Sequence, residues 1–389
     1  MTELLFPSPE ADERAPAGGA EGATRTGVLP SQELRDLIRR GLITAPEGIE
    51  PGQIQPASLD LRLGARAVRV RSSFLPGAER TVADRLADLR LYDIDLTDGA
   101  VLEKGCVYIV PLQEGLALRK RISALANPKS STGRLDIFAR VITDYGVEFD
   151  RVREGYRGPL YAEISPRAFS VRVRAGSRLV QLRVRRGSRA YSDTQMRRLH
   201  EAEALVAAEE PGAVAEIERG VKFTVDLAGD GPDSIIGYRA MKNTDIVDVD
   251  RVAGYDPAAF WEPVRAGEGR GLILDPDDFY ILASRESVRV PRDHAAEMLA
   301  YDTLVGEFRV HYAGFFDPGF GDPELGGQGT RAVLEVRAHE VPFLIESGQV
   351  VGRLVYEPLT AEPDILYGRD IGSSYQSQRL TLGKQFRRG

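Results

Sequence analysis

Apolar and polar residues alternate over short runs through most of the chain, and glycine, proline or aspartate closes each run. In the first half these runs are SLDLRLG (58–64), CVYIVPL (106–112), IFARVI (137–142), PLYAEI (159–164) and FSVRVRAG (169–176). Period-two alternation with frequent turn residues predicts an all-β domain from about residue 54 to 188. Helical spacing is confined to short stretches. SQELRDLIRRGLI (31–43) places Leu34, Leu37, Ile38 and Leu42 on one face behind a Ser31 N-cap. EAEALVAAEE (201–210) predicts a second helix, a connector. Residues 1 to 27 are rich in Pro, Ala, Gly and Glu without periodicity, and predict a disordered tail.

The pattern repeats. VYIV (107–110) matches FYIL (279–282), LYAEI (160–164) matches VLEVR (333–337), and Gly176 matches Gly348, each at an offset of 172. One shared offset implies a duplicated domain. The expected division is a tail at 1–27, a first domain at 28–200, a connector at 201–219 and a second domain at 220–389. The copies diverge at one place. KSSTGR (129–134) in the first faces YDTLVG (301–306) in the second, which lacks the lysine, both serines and the arginine and carries Asp302.

That difference directs attention to chemistry. Lys129, Ser130, Ser131, Thr132, Gly133 and Arg134 crowd donors and cations into six positions, a composition suited to a polyphosphate or to a polar turn. The spacing is not that of a Walker A loop. Glu163 and Glu335 sit in apolar strands. Alternation allows either to point outward or inward, and retention in both copies favours inward, where burial would raise the carboxyl pKa. Asp150 in GVEFD and Asp317 in FFDPG are turn residues or acceptors for a sugar hydroxyl. The run RAFSVRVRAGSRLVQLRVRRGSR (167–189) reads as a solvated strand face more readily than as a nucleic-acid surface.

Composition narrows the classes. A net charge of −7 over 389 residues argues against general nucleic-acid binding. One cysteine, Cys106, fits a reducing cytoplasm. With four histidines it leaves little material for a zinc cluster, and the Cys-x-x-Cys signature of zinc nucleobase deaminases is missing. No apolar run is long enough to span a bilayer, and no signal peptide or membrane partner is expected.

Taken in order, IQPASLDLRLG (54–64), PKSSTGRLD (128–136), GYRGPLYAE (155–163) and GSRLVQLRV (176–184) resemble the dCTP deaminase branch of the dUTPase superfamily, in its long duplicated bacterial form. The resemblance runs from about residue 28 to the end. It implies a mainly β fold of two tandem dUTPase-like (β-clip, distorted jelly-roll) domains with a few short helices. It implies zinc-independent hydrolysis of dCTP to dUTP and ammonia. By position, Lys129, Ser130, Ser131 and Arg134 match the phosphate and catalytic loop, with Ser130 positioning water and Arg134 holding the nucleotide. Asp150 matches the reader of the deoxyribose 3′-hydroxyl, and Glu163 the catalytic glutamate. Tyr367 and Gln378 fall at the spacing of the closing tail, whose usual lysine is Ser374 here, unless Lys384 substitutes for it.

The resemblance further implies Mg2+ carried on the triphosphate, dTTP as an inhibitor, and a homo-oligomer with threefold symmetry. Two arrangements are open. In one, the first-half loop works with Glu335, Asp317 and the tail of the second half. In the other, Glu163 acts and the second half is largely structural. Alternatives to the deaminase are a dUTP diphosphatase or bifunctional enzyme, to which Gln181 points, and a non-catalytic nucleotide sensor.

Overall fold

A computed structural model describes residues 25–187, 191–207, 215–229, 231, 233–267, 271–300, 308–311, 314–325, 329–338, 340–369 and 380–388. Each half builds the same sheets. In the first, a six-stranded sheet runs in the order Arg90–Asp95, Arg66–Val70, Val107–Ala117, Arg157–Pro166, Ile137–Thr143, with Ile43–Thr44 added to Val107–Ala117. In the second, the order is Trp261–Arg265, Ile235–Ala240, Phe279–Val288, Thr330–Ala338, Phe308–His311, with Val206–Ala207 added to Phe279–Val288. The opposing sheets also correspond: Val180–Arg186 beside Ile122–Pro128, and Val350–Pro358 beside His294–Ala300.

Register repeats with the topology. Glu163 lies opposite Ile109, and Glu335 opposite Ile281. Tyr108 and Tyr280 are both buried, and their hydroxyls accept backbone N–H bonds from Glu103 (2.9 Å) and Asp275 (3.2 Å). Each thus closes the turn five residues before it, which satisfies a buried phenol.

The halves do not fold as separate beads. Val247–Asp248 from the second half pairs in parallel with Val171–Val173 of the first. Phe260, Trp261, Phe279, Ile281 and Val333, with Leu382 and Phe386 near the C-terminus, belong to the hydrophobic core of the first half. So the outer face of the second sheet is buried on the first half. The equivalent outer face of the first sheet is treated differently. Val68, Val70, Ile109 and Ile142 pack with Val82 and Leu86 of the Val82–Leu89 helix and with Phe74. The first half covers its own face with that helix.

Three expectations need correction. The connector helix is Asp193–Glu203, not 201–210, because Ser192 and Gln195 form a capping box and Ala204 ends the helix at φ 46°. Residues 1–24 and 208–210 lie outside the described residues, yet Gly27, assigned to the tail, already pairs as a strand with Arg186. The arginine run is not mainly a solvated face. Arg172 is exposed, but Arg174 binds Asp248 (2.6 Å) and Asp250 (2.7 Å), and Arg185 binds Glu297 (3.1 Å) and Glu357 (3.0 Å). These strand arginines join the halves.

Candidate active site

The first-half loop is a compact turn. Ser130–Gly133 forms one helical turn behind Lys129, whose backbone N–H bonds Leu179 O at 2.9 Å. Thr132 is buried and gives its hydroxyl to the same carbonyl at 2.8 Å. Thr132 and Gly133 therefore shape the loop and are not open donors, contrary to the polyphosphate reading of all six positions. Ser131 is also buried, whereas Ser130 is exposed. The Lys129 ammonium pairs with Asp60, a buried residue of the SLDLRLG stretch.

Arg134 is buried, and its Nη1 donates to Thr381 O at 2.8 Å, close to the C-terminus. It also acts on Glu335, which comes from the other half. Burial pushes the Glu335 carboxyl up to about 8, the Arg134 guanidinium pulls it down, and Asp136 adds a further push. Asp136 is buried in an ion pair with Arg337, two residues along the strand from Glu335 and on the same face. Thus first-half Arg134 and Asp136 meet second-half Glu335 and Arg337 inside the molecule.

Asp317 lies in the same region. Burial raises its pKa, Arg183 opposes, Asp60 adds to the rise and Lys129 opposes. Arg183, fully buried on the first half, reaches across to Ala296 O (2.8 Å), Phe316 O (3.2 Å) and Asp317 Oδ1 (3.3 Å). Its guanidinium also sits 4.0 Å from the centroid of the Phe315 ring. It fixes the FFDPG turn from both sides of the peptide chain.

Glu163 is elsewhere. It is buried and bound to Arg140 Nη2 at 2.5 Å, and Arg140 in turn stacks 3.6 Å from the Phe149 ring centroid. Asp150 stands nearby at φ 63°, accepting the Val141 N–H at 2.7 Å, with burial raising its carboxyl to about 7. Among the described residues no hydrogen bond or ion pair from the other half reaches this pair, although second-half Glu297 lies near enough to push the Asp150 carboxyl up further. The structure therefore gathers Lys129, Arg134, Glu335 and Asp317 into one region, and leaves Glu163 and Asp150 in another. Tyr367 packs 5.6 Å from the Phe320 ring centroid, one turn from Asp317. Gln378, Ser374 and the second loop copy, 301–306, lie outside the described residues.

Family models match each half of the chain. The model of the 2′-deoxycytidine 5′-triphosphate deaminase N-terminal domain covers residues 25–188, and that of its C-terminal domain covers 192–386. The chain belongs to the dCTP deaminase family. A crystal structure of 2′-deoxycytidine 5′-triphosphate deaminase from Agrobacterium tumefaciens is 54% identical, with a TM-score of 0.82, over 87% of this chain and 99% of that one. A "dCTP deaminase, dUMP-forming" of Halobacterium salinarum is 35% identical over 115 residues, 28% of this chain and 54% of that protein. One of the same name from Methanoculleus marisnigri is 32% identical over 179 residues, 43% of this chain and 87% of that protein. The chain thus spans about half the length of the Halobacterium relative and nearly all of the Agrobacterium protein.

Sequence reasoning did not single out Asp60, Asp136, Arg183 or Arg337 as site residues. Asp60 and Arg183 stood inside quoted motifs, but nothing in the sequence shows that Arg337 meets an aspartate 201 positions away. Among the described residues no group of three or more His, Cys, Asp or Glu side chains is placed to hold a metal, and no helix is long and apolar enough to cross a membrane.

Proposed function

We propose that this chain deaminates dCTP in a composite site, with the loop from its first half and the acid/base glutamate, Glu335, from its second. One observation carries the choice of glutamate. The sheet face bearing Glu335 is packed on the first half beside Arg134, while the equivalent face bearing Glu163 is covered by the Val82–Leu89 helix and its carboxylate is bound by Arg140.

The chemistry follows from those positions. Water adds to C4 of the cytosine ring while Glu335 takes one of its protons and passes it to N3, giving a tetrahedral C4 that bears hydroxyl and amino groups. Glu335 then takes the hydroxyl proton and gives it to the amino group, so the C4–N bond breaks, ammonia leaves and the C4 carbonyl forms. A carboxyl raised to about 8 is a stronger base than a solvated one and suits both transfers. Ser130, exposed at the loop, positions the water, and Arg134 holds the nucleotide and offsets developing charge. Asp317 accepts from the deoxyribose 3′-hydroxyl, taking the role that the resemblance gave to Asp150. Lys129 and the tail meet the triphosphate, which carries Mg2+ as part of the substrate. Zinc has no part in this reading.

The product proposed is dUTP. A second reading, release of dUMP and pyrophosphate, is favoured by the names of the curated relatives, which form dUMP. Incubation with Mg·dCTP, followed for ammonia, dUTP, dUMP and pyrophosphate, decides. Ammonia with accumulating dUTP supports the deaminase alone. Ammonia with dUMP and pyrophosphate supports the bifunctional enzyme. dCTP bound without turnover would replace both with a nucleotide sensor.

A further inference from the structure

The two halves surround the same glutamate with different cations. In the first, Arg140 stands opposite Glu163 in the strand register and donates to its carboxylate at 2.5 Å. In the second, the register position opposite Glu335 belongs to His311. The strand of Glu335 carries an arginine of its own, Arg337, where the first half has Ser165 at the 172-residue offset. Residues two apart on a strand share a face and lie about 7 Å apart, within the span of an arginine side chain. Yet among the described residues no ion pair joins Arg337 to Glu335. Arg337 turns the other way: Nη2 donates to the Asp136 carboxylate, Nη1 donates to Asp277 O, and the guanidinium sits 5.9 Å from the Phe279 ring centroid.

Asp136 is set in place by the first-half turn. It follows Arg134 by two residues at φ 53°, its N–H bonds Gly133 O at 2.8 Å, and its carbonyl accepts the Arg167 N–H at 2.8 Å. Asp136, Arg337 and Glu335 are all buried. A buried guanidinium stripped of its carboxylate is costly and turns to the next carboxylate in reach. On its own strand face that carboxylate is Glu335. The charged groups around Glu335 are Arg134 and Asp136 from the first-half turn and Arg337 from its own strand, with Lys104 near Asp136 and Arg337. The flanking strands place His311 and Ile281 opposite it.

We infer that Asp136 is a positioning residue of the deamination: by holding Arg337 it keeps that guanidinium off Glu335 and leaves the carboxyl open to water and substrate. This rests on the reading of Glu335 as the acid/base group. The first half shows the alternative, a buried glutamate occupied by an arginine. Asp136 acts from the first half on a strand of the second, so the turn that brings Arg134 to the site also clears the carboxylate there.

The test uses the full chain with Mg·dCTP and the variants Asp136→Asn, Arg337→Met and the two combined, each assayed well below its Tm. Freed Arg337 pairs with Glu335, so Asp136→Asn should lower kcat about tenfold or more. The rising limb of kcat/KM should also move to lower pH by about one unit or more, because a neighbouring cation favours the ionised carboxyl. Adding Arg337→Met should restore most of the rate and return the limb. A folded Asp136→Asn enzyme whose limb stays in place would overturn the inference, since a packing role lowers Tm without moving it. So would a combined variant no more active than Asp136→Asn. If Asp136→Asn does not fold, the combined variant decides: a rate within several fold of wild type supports the inference, and a dead enzyme with native Tm overturns it. Wild-type protein that fails to deaminate dCTP sinks the functional reading instead. Urea unfolding still tests Asp136: the stability gained by Glu335→Gln should level off at lower pH in the Asp136→Asn background, or against Arg337→Met at lower pH in proteins that keep Arg337 without Asp136, and an unmoved level overturns the inference.

Discussion

Replacing Glu335 by glutamine should remove activity and stabilise the fold, and the stabilisation should depend on pH in a set way. The ordinary carboxyl value is 4.5, and burial lifts Glu335 to about 8. A group whose folded pKa is raised contributes stability fully below its unfolded pKa, and that contribution is lost as pH rises to the folded value. Over this window the unfolded wild type is ionised and the folded protein is not. Each pH unit costs the wild type about 1.4 kcal/mol relative to a neutral isostere. Glutamine cannot ionise, so Glu335→Gln should gain nothing near pH 4 and about 3 kcal/mol at pH 7. The gain should level off above about 8. Urea unfolding of both proteins from pH 4 to 9 measures it. A difference that stays flat across this range, or a variant less stable at pH 8 than wild type, would refute the burial argument for Glu335.

Three other outcomes follow from the same geometry. With Glu335 as the base that must ionise, kcat/KM for dCTP should rise with pH and level off near 8; a profile that falls through that region contradicts the assignment. Asp136→Asn leaves the buried Arg337 guanidinium without its carboxylate and should destabilise the chain by about 3 to 5 kcal/mol in denaturant unfolding. Removal of magnesium with EDTA should suppress turnover of dCTP and its return should restore it, whereas a zinc-selective chelator should leave the rate unchanged.

The β pattern was legible because strand alternation and turn residues are local signals. The duplication was legible because the 172-residue offset survives in the Tyr108/Tyr280 and Glu163/Glu335 pairs, and the register keeps both pairs equivalent. The choice between the two glutamates was not legible. It depends on what covers each sheet face: a helix from 82 to 89 in one case, the other half of the chain in the other. Alternation reports that a face is buried, not by what. The arginines illustrate the same limit. Arg172 and Arg183 stand in similar Val/Leu–Arg alternations, yet one is exposed and the other is fully buried across the junction between halves. Composition cannot tell a donor aimed at a ligand from one already used within the loop, as the Thr132 hydroxyl is on Leu179 O and the Gly133 N–H on Lys129 O.

The most direct measurement of the composite site is ammonia release from Mg·dCTP by Glu335→Gln and Glu163→Gln side by side. Loss of a positioned acid/base group lowers the rate by about 10² to 10⁴. The account predicts that loss for Glu335→Gln, and a rate within a few fold of wild type for Glu163→Gln in protein that remains folded. A Glu335→Gln enzyme with full activity, or a Glu163→Gln enzyme that stays folded but is dead, would contradict it.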